Sequence, residues 1–162
     1  MLNPSAHPHS ACPGCGAELP VTDGAMHAYV GASSACWTRF AEINTSLPFA
    51  PLRRLVTDAY MVQHPGVPER RAIQSVCLHL VGLCLVLEHG LPADRLSATL
   101  QRILVRPPAW RWLDPPVPNG TLTIHDVAGA VDIDAYVRGV WQAWTPHRSQ
   151  VEAWTAVALR SR

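Results

Sequence analysis

The sequence contains no lysine, because all thirteen of its basic residues are arginine. That absence excludes reactions that use a lysine Schiff base or a lysine general base. An excess of one charge is also missing: the formal net charge is +1 at pH 7 with histidine neutral, so the composition gives no strong signal for a nucleic-acid or anionic-membrane partner. Together with abundant alanine, proline, valine and leucine, the lack of lysine is typical of a GC-rich bacterial genome.

Long hydrophobic runs are absent as well. The longest uncharged apolar stretch runs from Val76 to Leu87, and at twelve residues it is too short to span a bilayer and fits a buried core helix. The first ten residues show no basic segment followed by an apolar run, so no signal peptide is expected. We therefore expect a cytoplasmic protein with no membrane partner, whose five cysteines are thiols or metal ligands rather than disulfides.

After Cys36, apolar residues recur at helical spacing over most of the chain. Pro48 and the sequence His64-Pro65-Gly66 mark the ends of two helices, because the residue before a proline avoids the α region. Pro68 and Glu69 then open the longest helix, whose centre is apolar on every side and is therefore expected among other helices. The pattern leaves room for no more than a short β-hairpin. It predicts an all-α fold, a helical bundle of five to seven helices.

The segment before these helices carries a metal-binding pattern, Cys12-Pro13-Gly14-Cys15-Gly16. Two residues between the cysteines let one tight turn aim both thiolates at a single ion, as in a zinc knuckle. The two glycines allow positive φ, so that backbone N–H groups can turn toward the sulfurs. Cys36 is the predicted third ligand, because it lies at the start of a helix whose positive end stabilises a thiolate.

Tetrahedral zinc needs a fourth ligand, and the sequence favours His27 because it lies between the two cysteine elements. His7 and His9 are alternatives on a tail. We predict a structural Zn²⁺ ion bound by Cys12, Cys15, Cys36 and His27. The chain then divides into a flexible tail over residues 1–11, a zinc-binding module over residues 12–36 and a helical bundle domain over residues 37–162.

Polar residues also occur where the helical pattern calls for apolar ones. Tyr60 and His64 are four residues apart and share a helix face, as do Ser75 and His79 in the most apolar helix. A bare polar group inside a core costs on the order of 1–3 kcal/mol, so these groups are hydrogen-bonded or metal-bound. They form either a structural network or a pocket between helices.

In the pocket hypothesis, two histidines and a carboxylate are adequate for acid–base chemistry or for a second metal. The predicted catalytic residues are His64, His79, Asp58 and Tyr60. The predicted substrate-binding residues are Gln63, Gln74, Trp141, Trp144 and His147. Cys77 and Cys84, two helical turns apart on one face, are predicted to be small core residues.

Five blocks of the sequence resemble an uncharacterised bacterial family, a domain of unknown function. The blocks are CPGCG, GASSACW, DAYMVQHPG, QSVCLHLVGLCLVLEHG and VWQAWTPH, and the resemblance extends from Cys12 to about Trp154. It implies no activity, substrate or ligand set. The layout is also loosely similar to bacterial metal-binding four-helix bundles of the damage-inducible type, by analogy of architecture only.

Two functions therefore remain open from the sequence. The first is a small metalloenzyme that acts on a small-molecule ligand in the pocket between helices. The second is a zinc-stabilised regulatory module that presents the tryptophan-containing loop, from Trp110 to Pro118, to a protein partner. Nucleic acid is a weaker third option, because the arginines are scattered rather than clustered.

Overall fold

The computed structural model describes residues 8–160, apart from the side chains of residues 130 and 131. Within this range, two short strands are followed by six α-helices, which confirms the predicted all-α fold. The strands are β1 (His9–Ala11) and β2 (Glu18–Pro20). The helices are α1 (Ser34–Ser46), α2 (Ala50–Gln63), α3 (Arg70–Leu87), α4 (Ala93–Val105), α5 (Ala130–Ala143) and α6 (Arg148–Arg160), with single 3₁₀ turns at Ile124–Asp126 and Thr145–His147.

The two strands form an antiparallel hairpin whose turn is the CPGCG sequence. Ser10 lies opposite Leu19, and the Cys12 N–H donates a hydrogen bond to the Ala17 carbonyl at 2.9 Å. Gly16 occupies the turn with a φ of 75°, a conformation that a side chain would strain. Residues 9–11, which the sequence assigns to the tail, form the first strand of the hairpin. Residues 1–7, with the alternative ligand His7, lie outside the described residues.

Helix boundaries follow local capping signals. The Ser33 hydroxyl accepts a hydrogen bond from the Cys36 N–H at the start of α1, and the Glu69 carboxylate accepts one from the Ala72 N–H at the start of α3. These bonds satisfy N–H groups that have no partner inside the helix. Helix α2 ends at His64, because the following Pro65 cannot continue a helix.

Helix α3 is the central element of the bundle and contacts α2, α4, α5 and α6. By length and composition alone it could cross a membrane, with a mean hydropathy of 1.4, but half of it is buried inside this fold. Leu80, Leu83 and Leu85 are fully buried. The structure therefore places the apolar run in the protein core, as the sequence predicts.

The proline-containing loop after α4 is packed against the bundle. Leu113 is buried, and the ring of Trp110 contacts the ring of Trp154 edge-on at 5.3 Å between centroids. Further along, the buried side chain of Asn119 donates a hydrogen bond to the Val62 carbonyl of α2 at 2.9 Å. The loop thus closes one side of the core.

Candidate metal centre

Three cysteine sulfurs and one histidine nitrogen meet where the hairpin contacts the helices. The ligand atoms of Cys12, Cys15, Cys36 and His64 all lie within 4.8 Å of one another. The Cys15 Sγ–Cys36 Sγ distance is 3.9 Å, and the Cys36 Sγ–His64 Nε2 distance is 3.4 Å. Around a tetrahedral ion with Zn–S bonds of about 2.3 Å and a Zn–N bond of about 2.0 Å, the corresponding edges are about 3.8 Å and about 3.5 Å. The cluster can therefore hold a metal ion.

Three separate elements supply these ligands. The hairpin turn carries Cys12 and Cys15, the first turn of α1 carries Cys36, and His64 is the residue that ends α2. Cys12, Cys36 and His64 are buried, with at most 2% of each residue exposed, whereas Cys15 is half-buried. All cysteines in the described chain are free thiols, so no disulfide competes for the sulfurs.

Neighbouring groups orient the ligands. The Nδ1–H group of His64 donates a hydrogen bond to the Tyr60 carbonyl oxygen at 2.8 Å, which leaves the Nε2 atom available to a metal. The Tyr60 hydroxyl donates a hydrogen bond to the Cys36 sulfur at 3.4 Å, and the Ser33 N–H donates one to the Cys12 sulfur at 3.5 Å. Such outer partners stabilise thiolate charge and fix the imidazole ring.

Glycines let the hairpin approach the end of α2 closely. A Cβ atom at Gly14 would lie 2.4 Å from the Cδ2 atom of His64 and 2.8 Å from the Gly31 carbonyl oxygen. A Cβ atom at Gly66, whose φ is 72°, would lie 2.8 Å from the Tyr29 carbonyl oxygen. The Gly31 N–H also donates a hydrogen bond to the His64 carbonyl at 3.0 Å. The CPGCG turn therefore lies directly against the end of α2 that carries His64, the fourth residue of the cluster.

The predicted fourth ligand, His27, is corrected by this geometry. His64 completes the cluster, whereas the His27 ring contacts the rings of Tyr29 and Trp37 at 4.3 and 5.1 Å between centroids. The sequence contained one signal for the correct residue: His64 follows Tyr60 by four positions at a helix end. In the sequence this spacing indicates a pocket residue, because nothing local shows that α2 ends beside α1.

The three thiols perturb one another's pKa. Hydrogen bonds from Cys15 and Cys36 hold the pKa of the Cys12 thiol well below its usual range. Contact with the sulfurs of Cys12 and Cys15 raises the pKa of Cys36 well above its usual range. Burial is the largest single effect on the pKa of His64 and lowers it, but the hydrogen bonds to Cys12 and Cys15, together with the charge of these two residues, raise the pKa to about 9. A divalent cation that binds here replaces protons held by this cluster.

Comparison with known proteins gives a family but no activity. The model of a family of unknown function, DUF5946, matches residues 10–155. The chain belongs to this family. No curated protein and no solved structure matches the chain significantly. Within residues 10–155, the DUF5946 match includes all four residues of the cluster.

The predicted catalytic residues do not share one pocket in this DUF5946 chain. His64 belongs to the cluster and Tyr60 donates a hydrogen bond to its Cys36 sulfur, whereas Asp58 pairs with His79, whose Nδ1 atom lies 2.6 Å from the Asp58 Oδ1 atom. Successive residues of an α-helix turn by about 100°, so positions 58 and 60 lie on opposite faces of α2. The two halves of the predicted pocket therefore face different parts of the protein.

Gln63 and Trp144, predicted to bind substrate, instead form a buried hydrogen-bond network. The Gln63 amide donates to the Asn119 and Leu122 carbonyls, both at 2.8 Å, and its oxygen accepts from the Tyr136 hydroxyl at 3.1 Å. The Trp144 indole N–H donates to the Asn119 side-chain oxygen at 3.1 Å. Gln63, Tyr136 and Trp144 are at most 1% exposed, so the network ties α2, α5 and the proline-containing loop together.

Trp141 and His147 contact protein groups away from the cluster. The Trp141 indole N–H donates to a Glu88 carboxylate oxygen at 2.6 Å, and the Arg148 guanidinium lies 4.9 Å above its ring. The His147 Nε2 atom lies 2.7 Å from the Asp114 carbonyl oxygen. Of the predicted substrate-binding residues, Gln74 alone lines a cleft together with His79.

A second group of ligand-type atoms lies near the C-terminal end of α3, where Cys84, His89 and Glu152 approach one another within 4.8 Å. The His89 Nε2 atom forms an ion pair with a Glu152 oxygen at 2.8 Å, and both side chains are at least 34% exposed. The group offers three ligand atoms rather than four. Its buried member, Cys84, is in the core, as the sequence predicts.

Cys77 and Cys84 are expected to be unreactive thiols in the folded protein. Burial raises the pKa of each to about 12, so that at pH 8 only about one molecule in 10,000 carries the thiolate that alkylating reagents need. Iodoacetamide at pH 8 should label neither residue in the native protein, as read by peptide mass spectrometry. The same reagent should label both in denaturant; native labelling of either residue at the rate of a small free thiol would contradict the buried placement.

Proposed function

We propose that this protein is a zinc-binding helical protein in which one Zn²⁺ ion is held by Cys12, Cys15, Cys36 and His64. The observation that supports this proposal is the meeting of three sulfurs and one imidazole nitrogen within 4.8 Å, with the Cys15–Cys36 and Cys36–His64 distances close to the edges of a tetrahedral zinc site. Thiolate and imidazole ligands in tetrahedral geometry are the usual donor set of zinc, whereas carboxylate and carbonyl oxygens suit magnesium and calcium.

The proposed role of the ion is structural. Protein side chains fill all four positions, and catalytic zinc keeps one position for water or substrate. Three of the ligands are buried, which also limits access of a substrate to the ion. The ion joins the hairpin, α1 and α2, of which the hairpin is too small to fold by itself.

The proposed compartment follows from the ligands. Three thiols that bind zinc need a reducing environment, because oxidation to disulfides would remove them from the ion. We therefore propose a cytoplasmic location. The binding of a protein partner by the loop around Trp110 stays a prediction.

Metal content tests the proposal directly. Elemental mass spectrometry of protein purified without chelator and without a histidine tag should find one zinc per chain. The variant His79→Ala should keep this ratio, because His79 lies outside the cluster. Protein that is folded and contains no zinc would overturn the proposal, and two metals in the wild type with one in the variant would show a metal at His79 instead of a single structural ion.

Removal of the metal should destabilise the fold. Zinc at a thousandfold excess over its dissociation constant contributes about 4 kcal/mol, and each kcal/mol corresponds to about 2–4 °C in Tm for a chain of this size. A strong chelator should therefore lower Tm by about 8–16 °C in calorimetry, and added zinc should restore it. Magnesium in the same amount is the control, since it should restore nothing.

A further inference from the structure

Helix α3 carries a row of polar side chains along one face. Arg71, Ser75 and His79 are spaced four residues apart and line a cleft of about 440 Å³. Gln74 and Leu78 add to the same wall, and Tyr29 of the segment before α1 is the remaining lining residue. The volume is within the range of small-molecule sites.

Three polar side chains of this cleft have no partners within residues 8–160. The side chains of Arg71, Gln74 and Ser75 form no hydrogen bond or ion pair in the described part of the chain, although other arginines pair with a carboxylate, as Arg54 does with Asp58. A guanidinium with all its donors available, beside an amide and a hydroxyl, is suited to an anionic oxygen ligand.

His79 is held in one orientation by a buried carboxylate. Asp58 is fully buried, and its Oδ1 atom accepts hydrogen bonds from His79 Nδ1 at 2.6 Å and from Arg54 Nε at 2.9 Å. Gly82 makes room for this carboxylate, because a Cβ atom there would lie 2.9 Å from Asp58 Oδ2. A neutral imidazole that donates its Nδ1–H to Asp58 has a proton-accepting Nε2, and no hydrogen bond of Nε2 is found in the described chain.

The pair joins a buried carboxylate to an imidazole at the edge of the cleft. Arg54 Nε and His79 Nδ1 both donate to Asp58 Oδ1, whereas Oδ2 is buried without a hydrogen-bond partner among the described residues. The imidazole lines the cleft and its side chain is 14% exposed, so a ligand there can reach it. An orienting carboxylate behind a histidine is the arrangement by which proteins prepare a general base.

We propose that this cleft is a binding site for a small oxyanion that still carries an acidic proton, as dihydrogen phosphate does, in which Arg71 binds the anionic oxygens and His79 accepts the proton. The proton of the ligand's acidic O–H group moves to Nε2, the electron pair stays on the ligand oxygen, and Asp58 stabilises the imidazolium that forms. His79 is then the residue that exchanges the proton, and Asp58 is a positioning residue that acts through it.

The test uses zinc-loaded full-length protein labelled with ¹⁵N-histidine. Long-range ¹H–¹⁵N spectra should show His79 protonated at Nδ1 and unprotonated at Nε2. Titration with inorganic phosphate at pH 7, where part of it is dihydrogen phosphate, should shift the His79 Nε2 signal toward that of a protonated nitrogen, whereas acetate, which is fully ionised at this pH, should not. No shift with phosphate, or the same shift with both anions, overturns the proposal.

A matched pair of arginine variants tests the role of Arg71. Its neighbour Arg70 lines a different cleft, beside Trp110. Arg71→Ala should weaken anion binding about tenfold or more, the loss expected when a charge-assisted hydrogen bond is removed, and Arg70→Ala should leave it unchanged. Equal effects of the two variants would mean non-specific attraction and would overturn the site.

Asp58→Asn tests the positioning role through the tautomer of His79, which the loss of a residue with only a structural role would not change. The variant should change the His79 tautomer, since an amide can donate to the ring nitrogen that the carboxylate holds protonated. His79→Gln, on the partly exposed side of the pair, is the second variant if Asp58→Asn does not fold, and it should weaken phosphate binding although Arg71 is unchanged. Zinc content measured on every variant should stay at one per chain, so a failure of this site is distinguishable from a failure of the zinc centre.

Discussion

Replacing His64 by alanine should remove the bound zinc, and replacing His27 by alanine should not. His64 contributes the nitrogen that lies 3.4 Å from the Cys36 sulfur, and its loss leaves three ligands on an ion that needs four in a closed site. Loss of an outer-shell partner alone weakens metal binding about 10–100-fold, so loss of a ligand should weaken it by more than about 100-fold. Competition with a chromogenic chelator measures the affinity of each variant.

His64→Cys provides the matched rescue. A fourth thiolate gives the four-cysteine set that also binds structural zinc, so this variant should recover zinc binding that His64→Ala lacks. The reverse result, with zinc lost in His27→Ala and kept in His64→Ala, would show that His27, the residue favoured by the sequence, is the fourth ligand.

Replacing Gln63 by leucine should destabilise the protein by about 3–5 kcal/mol. The substitution leaves the Asn119 and Leu122 carbonyls and the Tyr136 hydroxyl without their partner, and a buried unpaired polar group costs about 1–3 kcal/mol. Urea unfolding, followed by circular dichroism, measures the difference in free energy of unfolding.

Gln74→Leu is the control for this effect. Gln74 is exposed on α3 and has no side-chain hydrogen bond within the described residues, so the same exchange there should change the free energy of unfolding by less than about 0.5 kcal/mol. Equal destabilisation by both variants would show that the Gln63 network contributes nothing. The contrast separates two glutamines for which the sequence alone predicted one role, substrate binding.

Short-range signals in the sequence were enough to predict the helices and most of the metal cluster. The spacing of Cys12 and Cys15 needs only one tight turn, and the position of Cys36 needs only the first turn of a helix. Helix ends depended equally on local chemistry, as at Pro65, whose ring cannot continue α2. Helical periodicity also limited which residues could meet, because positions 58 and 60 are about 200° apart around α2.

By itself, then, the sequence determined the all-α fold, the CPGCG turn and three of the four clustered residues, because each of these depends on neighbours within a few positions. Only the tertiary structure decided that His64 rather than His27 completes the cluster, that Asp58 orients His79, and that Gln63 supports the core. These pairings join residues from different helices. Which of them form depends on how α1, α2 and α3 pack together, and that packing is the sum of many weak contacts spread over the whole chain.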